Sequence, residues 1–318
     1  FIKSFWVLQK YQMSLAALHD LRIKSVKPLL PAAILLHNYG LDAQQAQTLA
    51  QRRADIAQAL NGDDDRLLVL LGPTALPDNR QLTLEYAKRL KALADQYGSE
   101  LILVMRAFVG TPSPAGADGE ETNPVPTWKG MVNDPDGDGS YRVNEGLQRT
   151  RGLLLDVCKI GLPVGTEYAD TLSPQFIADL VSWSCISARS AASPLLRELA
   201  SGLSTPVGFH NANTGFSNNP YTAVAATQMC AAAWKVAVDA VVESAEAHAF
   251  LSVSKEGVAG IVETSGTRHC HVILHGSEGG TNHDEGTVRD VSHALSEGGM
   301  QARVMVDCGS FNAAAGGG

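Results

Sequence analysis

The amino-acid sequence predicts an α/β protein of the (β/α)8 TIM-barrel type. Short apolar runs alternate with amphipathic segments, a βαβα rhythm that builds parallel sheet. Each run closes on a polar or glycine-containing turn, as barrel strands do where they face a site. No GxGxxG turn follows the first run, which disfavours an open doubly wound sheet.

The chain starts FIKSFWVLQKYQM, apolar and aromatic but too short to cross a bilayer and without a signal peptide's small-residue cleavage site. Residues 1–19 are expected to form an arm or a remnant outside the domain, 20–62 an N-terminal extension, and 63–318 the barrel. Strands are expected in RLLVLLGPT, ELILVMRAF, LPVGTEYAD, SWSCISARS, TPVGFHN, CHVILHGS and ARVMVDCGS. Between them, RQLTLEYAKRLKALADQYG has apolar residues at helical spacing and a glycine stop, and SPQFIADLV is opened by Ser173 with Pro174 at the first helical position.

Two stretches break the rhythm. GTPSPAGADGEETNPVPT predicts a long surface loop, an insertion near 111–127 at the barrel mouth, and FSNNPYTAVAATQMCAAAW predicts an alanine-rich helical insertion near 216–234. The final AAAGGG reads as a flexible tail. Because the C-terminal ends of barrel strands face the active site, Thr74, Arg106, Glu167, Arg189, His210, His275, Asp307 and Ser310 become the candidate site residues.

The 318 residues are 45% hydrophobic and 18% charged, which suits a soluble globular protein. A net charge of -8 leaves no broad basic surface for a phosphate backbone, so nucleic acid is not expected as the main partner, nor is a membrane. Five cysteines, odd in number and free of CxxC spacing, argue against a disulfide framework or a structural zinc site and for a reducing, cytoplasmic compartment.

Three local patterns invite a chemical reading. DPDGDGSYRVNE, Asp134 to Glu145, matches a calcium loop letter for letter. An EF-hand also needs an entering helix, and Pro124, Pro126 and Gly130 do not make one, so a turn and a helix N-terminus are expected instead. GSEGGTNHDEG lacks the Walker spacing and reads as a plain loop. In RHCH only His269 and His271 share a strand face, which favours a structural role.

Several blocks, DLRIKSVKPLLP, GDDDRLLVLLGP, WKGMVNDPD, RELASGLSTPVGF and GTRHCHVIL, resemble the type I DAHP synthases of the shikimate pathway from about Asp20 onward. The resemblance implies a barrel enzyme that joins phosphoenolpyruvate to erythrose 4-phosphate with a divalent metal, assembled as a dimer or tetramer. It also implies that ARVMVDCGS is the seventh of eight strands. The eighth β/α unit is then expected to be lacking from this chain, its place taken by the insertion, the arm, a neighbouring chain or further residues.

The family's chemical groups are only partly present. A metal-ligating cysteine of the family falls on Thr74 and a metal-ligating histidine on Ser310, and neutral hydroxyls bind transition metals poorly. A lysine and an arginine of the family's anion site become Thr111 and Ser113, while another lysine and another arginine become His210 and His275. Arg106, Glu167 and Arg189 remain.

These departures lead to the expectation of a repurposed, metal-independent enzyme of specialised metabolism. His210, His275 and Glu167 would do acid–base work, and Arg106, Arg189, Thr74, Asp307 and Ser310 would hold a different, small-molecule substrate. No cofactor is expected under that reading. An alternative is a non-catalytic subunit binding a paralogue or an aromatic amino acid, with Pro174, Gln175 and Ser204 matching the family's effector region. A further alternative is an active, metal-dependent DAHP synthase.

Overall fold

The computed structural model describes residues 18–73, 76, 79–110, 130–212, 225–277 and 280–313, with backbone only at 225–232 and 310. The chain forms two compact units, Phe1–Leu30 and Pro31–Gly318. In the first, the amide of Ile23 donates to the carbonyl of Asp20 (2.9 Å) and closes a turn.

The second unit opens with helices α1 (Ala32–Asn38) and α2 (Ala43–Asn61). Helix α2 starts at a reciprocal cap in which Asp42 accepts from the Gln45 amide and Gln45 accepts from the Asp42 amide. It stops at Gly62, whose φ of 84° an L side chain would strain. Strand β1 (Leu67–Leu71), helix α3 (Arg80–Gln96) and strand β2 (Leu101–Arg106) follow. Then come the single turn α4 (Gly130–Asn133), α5 (Val143–Ile160), β3 (Val164–Glu167), α6 (Ser173–Ile177), β4 (Trp183–Ile186), α7 (Pro194–Gly202) and β5 (Val207–His210). Helix α8 (Ala225–Glu243), strands β6 (Ala249–Val253), β7 (Ala259–Glu263) and β8 (Cys270–Leu274), α9 (Glu285–Glu297), β9 (Val304–Val306) and α10 (Ser310–Ala313) complete the described chain.

Seven strands form one sheet in the order β1-β2-β3-β4-β5-β8-β9, every neighbouring pair parallel. All seven expected strands are there, and ARVMVDCGS supplies the seventh in sheet order. The arrangement is TIM-barrel-like. Strands β6 and β7 instead pair antiparallel as a separate hairpin, which the sequence reading did not foresee. Its signal was present: Gly257, with φ of 82°, turns the chain between two β-branched runs.

The side chains that fill the sheet's concave side recur every second residue. Ile102, Val104, Trp183, Cys185 and Ile273 cluster with Leu68, Leu70 and Met305 from the two outer strands, and Ile56 from α2 joins them. Room for these large groups comes from two glycines. A Cβ at Gly208 would lie 2.4 Å from Ile273, and one at Gly165 would lie 3.0 Å from Trp183. Helix α2 is held to the strand starts by Arg53, which donates to the Val181 carbonyl (2.8 Å), and by Arg303, which donates to Asn61 O (3.0 Å).

Outside the sheet, Arg151 of α5 is fully buried and donates to Leu35 O (3.2 Å), Tyr39 O (3.0 Å), Phe176 O (2.7 Å) and both Asp179 carboxylate oxygens (2.7 Å each). One guanidinium so closes the carbonyl ends of α1 and α6 and the short 3-10 turn Ala178–Leu180.

The calcium-like loop is a turn and a helix N-terminus. Its entering helix, α4, has four residues. Asp134 is buried and accepts from the Gly139 amide, while Asp136 and Glu145 pair with Arg142 and Arg149. Residues 225–234 of the alanine-rich stretch open α8, and 216–224, like the expected loop at 111–127, lie outside the described residues. Helix α6 begins at Ser173, so Pro174 sits one position later than expected, and Asp170 caps it by accepting from the Leu172 and Ser173 amides.

Replacing Arg151 by Met should cost about 3–5 kcal/mol in urea unfolding, since three carbonyls and a carboxylate lose their partner together. Asp179→Asn should cost clearly less, because the guanidinium keeps its carbonyl bonds.

Candidate functional site

The two-residue period that builds the core also builds the site. Two positions past Val104, Gly165, Gly208, Ile273 and Met305 stand Arg106, Glu167, His210, His275 and Asp307, at the C-terminal ends of five different strands. Arg189 lies exposed in the loop after β4, near enough to bias the ionisation of Glu167. The structure thus brings six of the eight expected mouth residues into one region. Thr74 and the side chain of Ser310 lie outside the described residues.

Arg106 stacks its guanidinium carbon 4.3 Å from the centre of the Phe108 ring, and its buried Nε has no hydrogen-bond partner among the described residues. Burial raises the Glu167 carboxyl above its usual pKa, opposed by a hydrogen bond from Ser187 and by the charges of Arg106 and Arg189. His210 places Nδ1 3.2 Å from Ile186 O and Nε2 4.0 Å from the Asp307 carboxylate. Burial lowers its pKa, with Asp307 pulling the other way. His275 meets His210 edge to face at 5.4 Å, and burial together with that neighbour pushes it down to about 4.

Three asparagines that sequence reasoning missed join the strand ends. Asn211 bonds to His275, Gly276 and Asn282; Asn282 bonds to Gly276 and Asn312; Asn312 bonds to Leu274 O and Asp307 O. Their only signal was position: Asn211 comes one residue after β5, Asn282 in the loop after β8, and Asn312 in the short helix after β9.

Deeper in the barrel, Trp183 Nε1 donates to His271 Nε2 (3.3 Å), while Cys270 turns to the opposite face. The exposed His269 takes no part. RHCH is structural here. Burial holds His271 near 4.

The resemblance implies a divalent metal. Among the described residues no three His, Cys, Asp or Glu side chains converge to hold one. The hydroxyls of Thr74 and Ser310 are poor transition-metal donors. The described residues do not by themselves make up that centre.

A second cleft, of about 200 Å³, opens between α6, α7 and the β6–β7 hairpin. Pro174, Gln175 and Ser204 all line it, beside Leu203, Phe250 and Lys255. Gln175 Nε2 donates to Val253 O (3.0 Å), tying α6 to the hairpin.

A parallel sheet of TIM-barrel type with arginines, carboxyls and imidazoles gathered at its strand ends is the framework of a β/α-barrel protein. The chain belongs to the DAHP synthetase I family, whose model matches residues 41–316. It is 40% identical over 293 residues to the Phe-sensitive phospho-2-dehydro-3-deoxyheptonate aldolase of Escherichia coli K12, covering 92% of this chain and 75% of that protein. It is 38% identical over 295 residues to the tyrosine-inhibited enzyme of Candida albicans, covering 92% and 72%. A solved phospho-2-dehydro-3-deoxyheptonate aldolase from Francisella tularensis SCHU S4 superposes with a TM-score of 0.81 at 35% identity, covering 92% of this chain and 78% of that one.

These relatives correct one expectation. A protein that has lost the condensation and been repurposed without metal is not what they support: sequences 36–40% identical over nearly the whole chain carry the aldolase name. The inference of loss leaned on Thr74 and Ser310, whose side chains the structure does not describe, while Arg106, Glu167 and Arg189 stand at the mouth.

Acid should weaken the fold through the buried histidines. Unfolded histidine titrates near 6.5 and His271 and His275 near 4, so between those values only the unfolded chain takes up the protons. Their contribution is fully present above about pH 6.5, falls as pH drops towards 4, and amounts to on the order of 3 kcal/mol each. Urea unfolding across that range checks it, and a His271→Gln chain should show a shallower slope.

Proposed function

We propose that this chain is a phospho-2-dehydro-3-deoxyheptonate aldolase, a DAHP synthase that joins phosphoenolpyruvate to erythrose 4-phosphate. The observation that carries the reading is the 40% identity over 92% of the chain to an enzyme of that name. Arg106, Glu167 and Arg189 at the strand ends support it.

Both substrates are anions, and Arg106 and Arg189 are the cations at the described mouth. A guanidinium braced on Phe108, with a buried Nε unpartnered among the described residues, suits a carboxylate or phosphate oxygen. Forming the new carbon–carbon bond leaves a charge on the aldehyde oxygen that must be met by a proton. Glu167, with its carboxyl held up by burial, can carry a proton at its Oε for that purpose. His210 and His275 are neutral near pH 7 and contribute hydrogen bonds rather than charge.

With a divalent cation supplied, the purified chain should consume phosphoenolpyruvate and release phosphate only when erythrose 4-phosphate is present. Arg106→Ala should lower kcat/KM by about 10- to 100-fold. No phosphoenolpyruvate consumption by the folded wild-type chain would overturn the reading.

The cleft at Pro174, Gln175 and Ser204 supports a feedback site, since the relatives are named Phe-sensitive and tyrosine-inhibited. Its apolar walls, Leu203 and Phe250, with Lys255 at one edge, suit an aromatic amino acid held by its carboxylate. One of phenylalanine, tyrosine or tryptophan at about a hundred times its Kd should raise Tm by roughly 5 °C. Ser204→Phe should abolish that shift.

Small-molecule substrates, a cytoplasmic setting and a dimer or tetramer complete the proposal. Among the described residues no helix is long and apolar enough to cross a membrane.

A further inference from the structure

The hydrogen bonds around Asn211 fix the position of a proton. Asn211 is fully buried, and its Oδ1 lies 2.8 Å from the backbone nitrogen of His275. A backbone amide only donates, so the atom facing it is the oxygen and not the amide nitrogen. Asn211 Nδ2 then donates to Gly276 O (3.0 Å), which only accepts. Asn282 is oriented in the same way: its Oδ1 accepts from the Gly276 amide (2.8 Å), leaving Nδ2 to donate to Asn211 Oδ1 (3.1 Å).

The Asn211 oxygen therefore acts only as an acceptor. His275 Nδ1 stands 2.9 Å from it and has to bring the hydrogen. His210 follows the same rule one strand away, with its Nδ1 directed at the carbonyl of Ile186 (3.2 Å).

We infer that Asn211 is a positioning residue that locks His275 in the Nδ1–H tautomer, so that Nε2, on the ring edge away from Asn211, is a hydrogen-bond acceptor. The inference rests on the proposed function for its purpose and stands on geometry for its substance. An arginine at this place, as the family resemblance implies, would hold an anion. The locked imidazole instead can only accept at Nε2, from an O–H or N–H group. It does so without competing for the phosphate groups, which are left to Arg106 and Arg189.

The test is a long-range proton–nitrogen NMR correlation on the full chain labelled with ¹⁵N-histidine near pH 7, with the His275 signals assigned by their loss in His275→Gln. Wild type should show His275 protonated at Nδ1 and bare at Nε2. Asn211→Asp, which keeps the acceptor, should keep that pattern. Asn211→Leu, which removes it, should move His275 to Nε2–H or to an exchanging mixture and lower kcat at least tenfold. Should the leucine chain not fold, Asn211→Ala makes the same comparison.

A wild-type His275 protonated at Nε2, or a pattern unchanged in a folded Leu or Ala variant, would overturn the assignment. The spectrum needs no substrate. A locked tautomer in a chain that does not consume phosphoenolpyruvate would leave this inference standing while the proposed reaction fails.

Discussion

The pleat of a parallel strand sends alternate side chains to one face, and everything else in the barrel follows from that constraint. Ile102 and Val104 commit β2 to packing inward, and the next residue on that face is Arg106. Ile273 does the same for His275, and Met305 for Asp307. The apolar interior sets the register of the polar mouth, because slipping any strand by one residue would bury its neighbour's outward face and turn its site residue away. Gly165 and Gly208 are part of the same arrangement, since their missing side chains let Trp183 and Ile273 fill the barrel below the mouth.

At the mouth, charge is scarcer than the family resemblance implies. Imidazoles stand where a lysine and an arginine are expected, and burial keeps them neutral. The cations at the described mouth are then Arg106 and Arg189, and under the proposed function the binding of anions falls to these two guanidiniums. Hydrogen-bond direction replaces charge as the means by which β5 and β8 address a substrate, and the asparagine network sets that direction.

Much of this was legible in the chain. Seven β-branched runs gave seven strands, because a buried parallel strand needs continuous apolar sequence and leaves a strong signal. Arg106, Glu167, His210, His275 and Asp307 were placed at one mouth by the same reasoning, and Pro174, Gln175 and Ser204 fell into one cleft. The β6–β7 hairpin was missed because Leu251 and Ile261 face outward, so its alternation does not resemble that of the barrel strands. Asn211 was passed over because an asparagine after a strand usually marks a turn, and only the approach of Gly276 and Asn282 gives it a role. The inference of lost chemistry failed for a different reason. It weighed a few substituted positions against a likeness that runs through nearly the whole chain.

Arg151 has a bearing on how the molecule comes apart. Three of its acceptors are backbone carbonyls, which do not titrate. Those three contacts of the helical shell do not respond to acid, whereas the Trp183–His271 pair at the centre of the sheet does. Acid loosening should begin from the inside, with the strands losing their fit while the outer helices are still clasped.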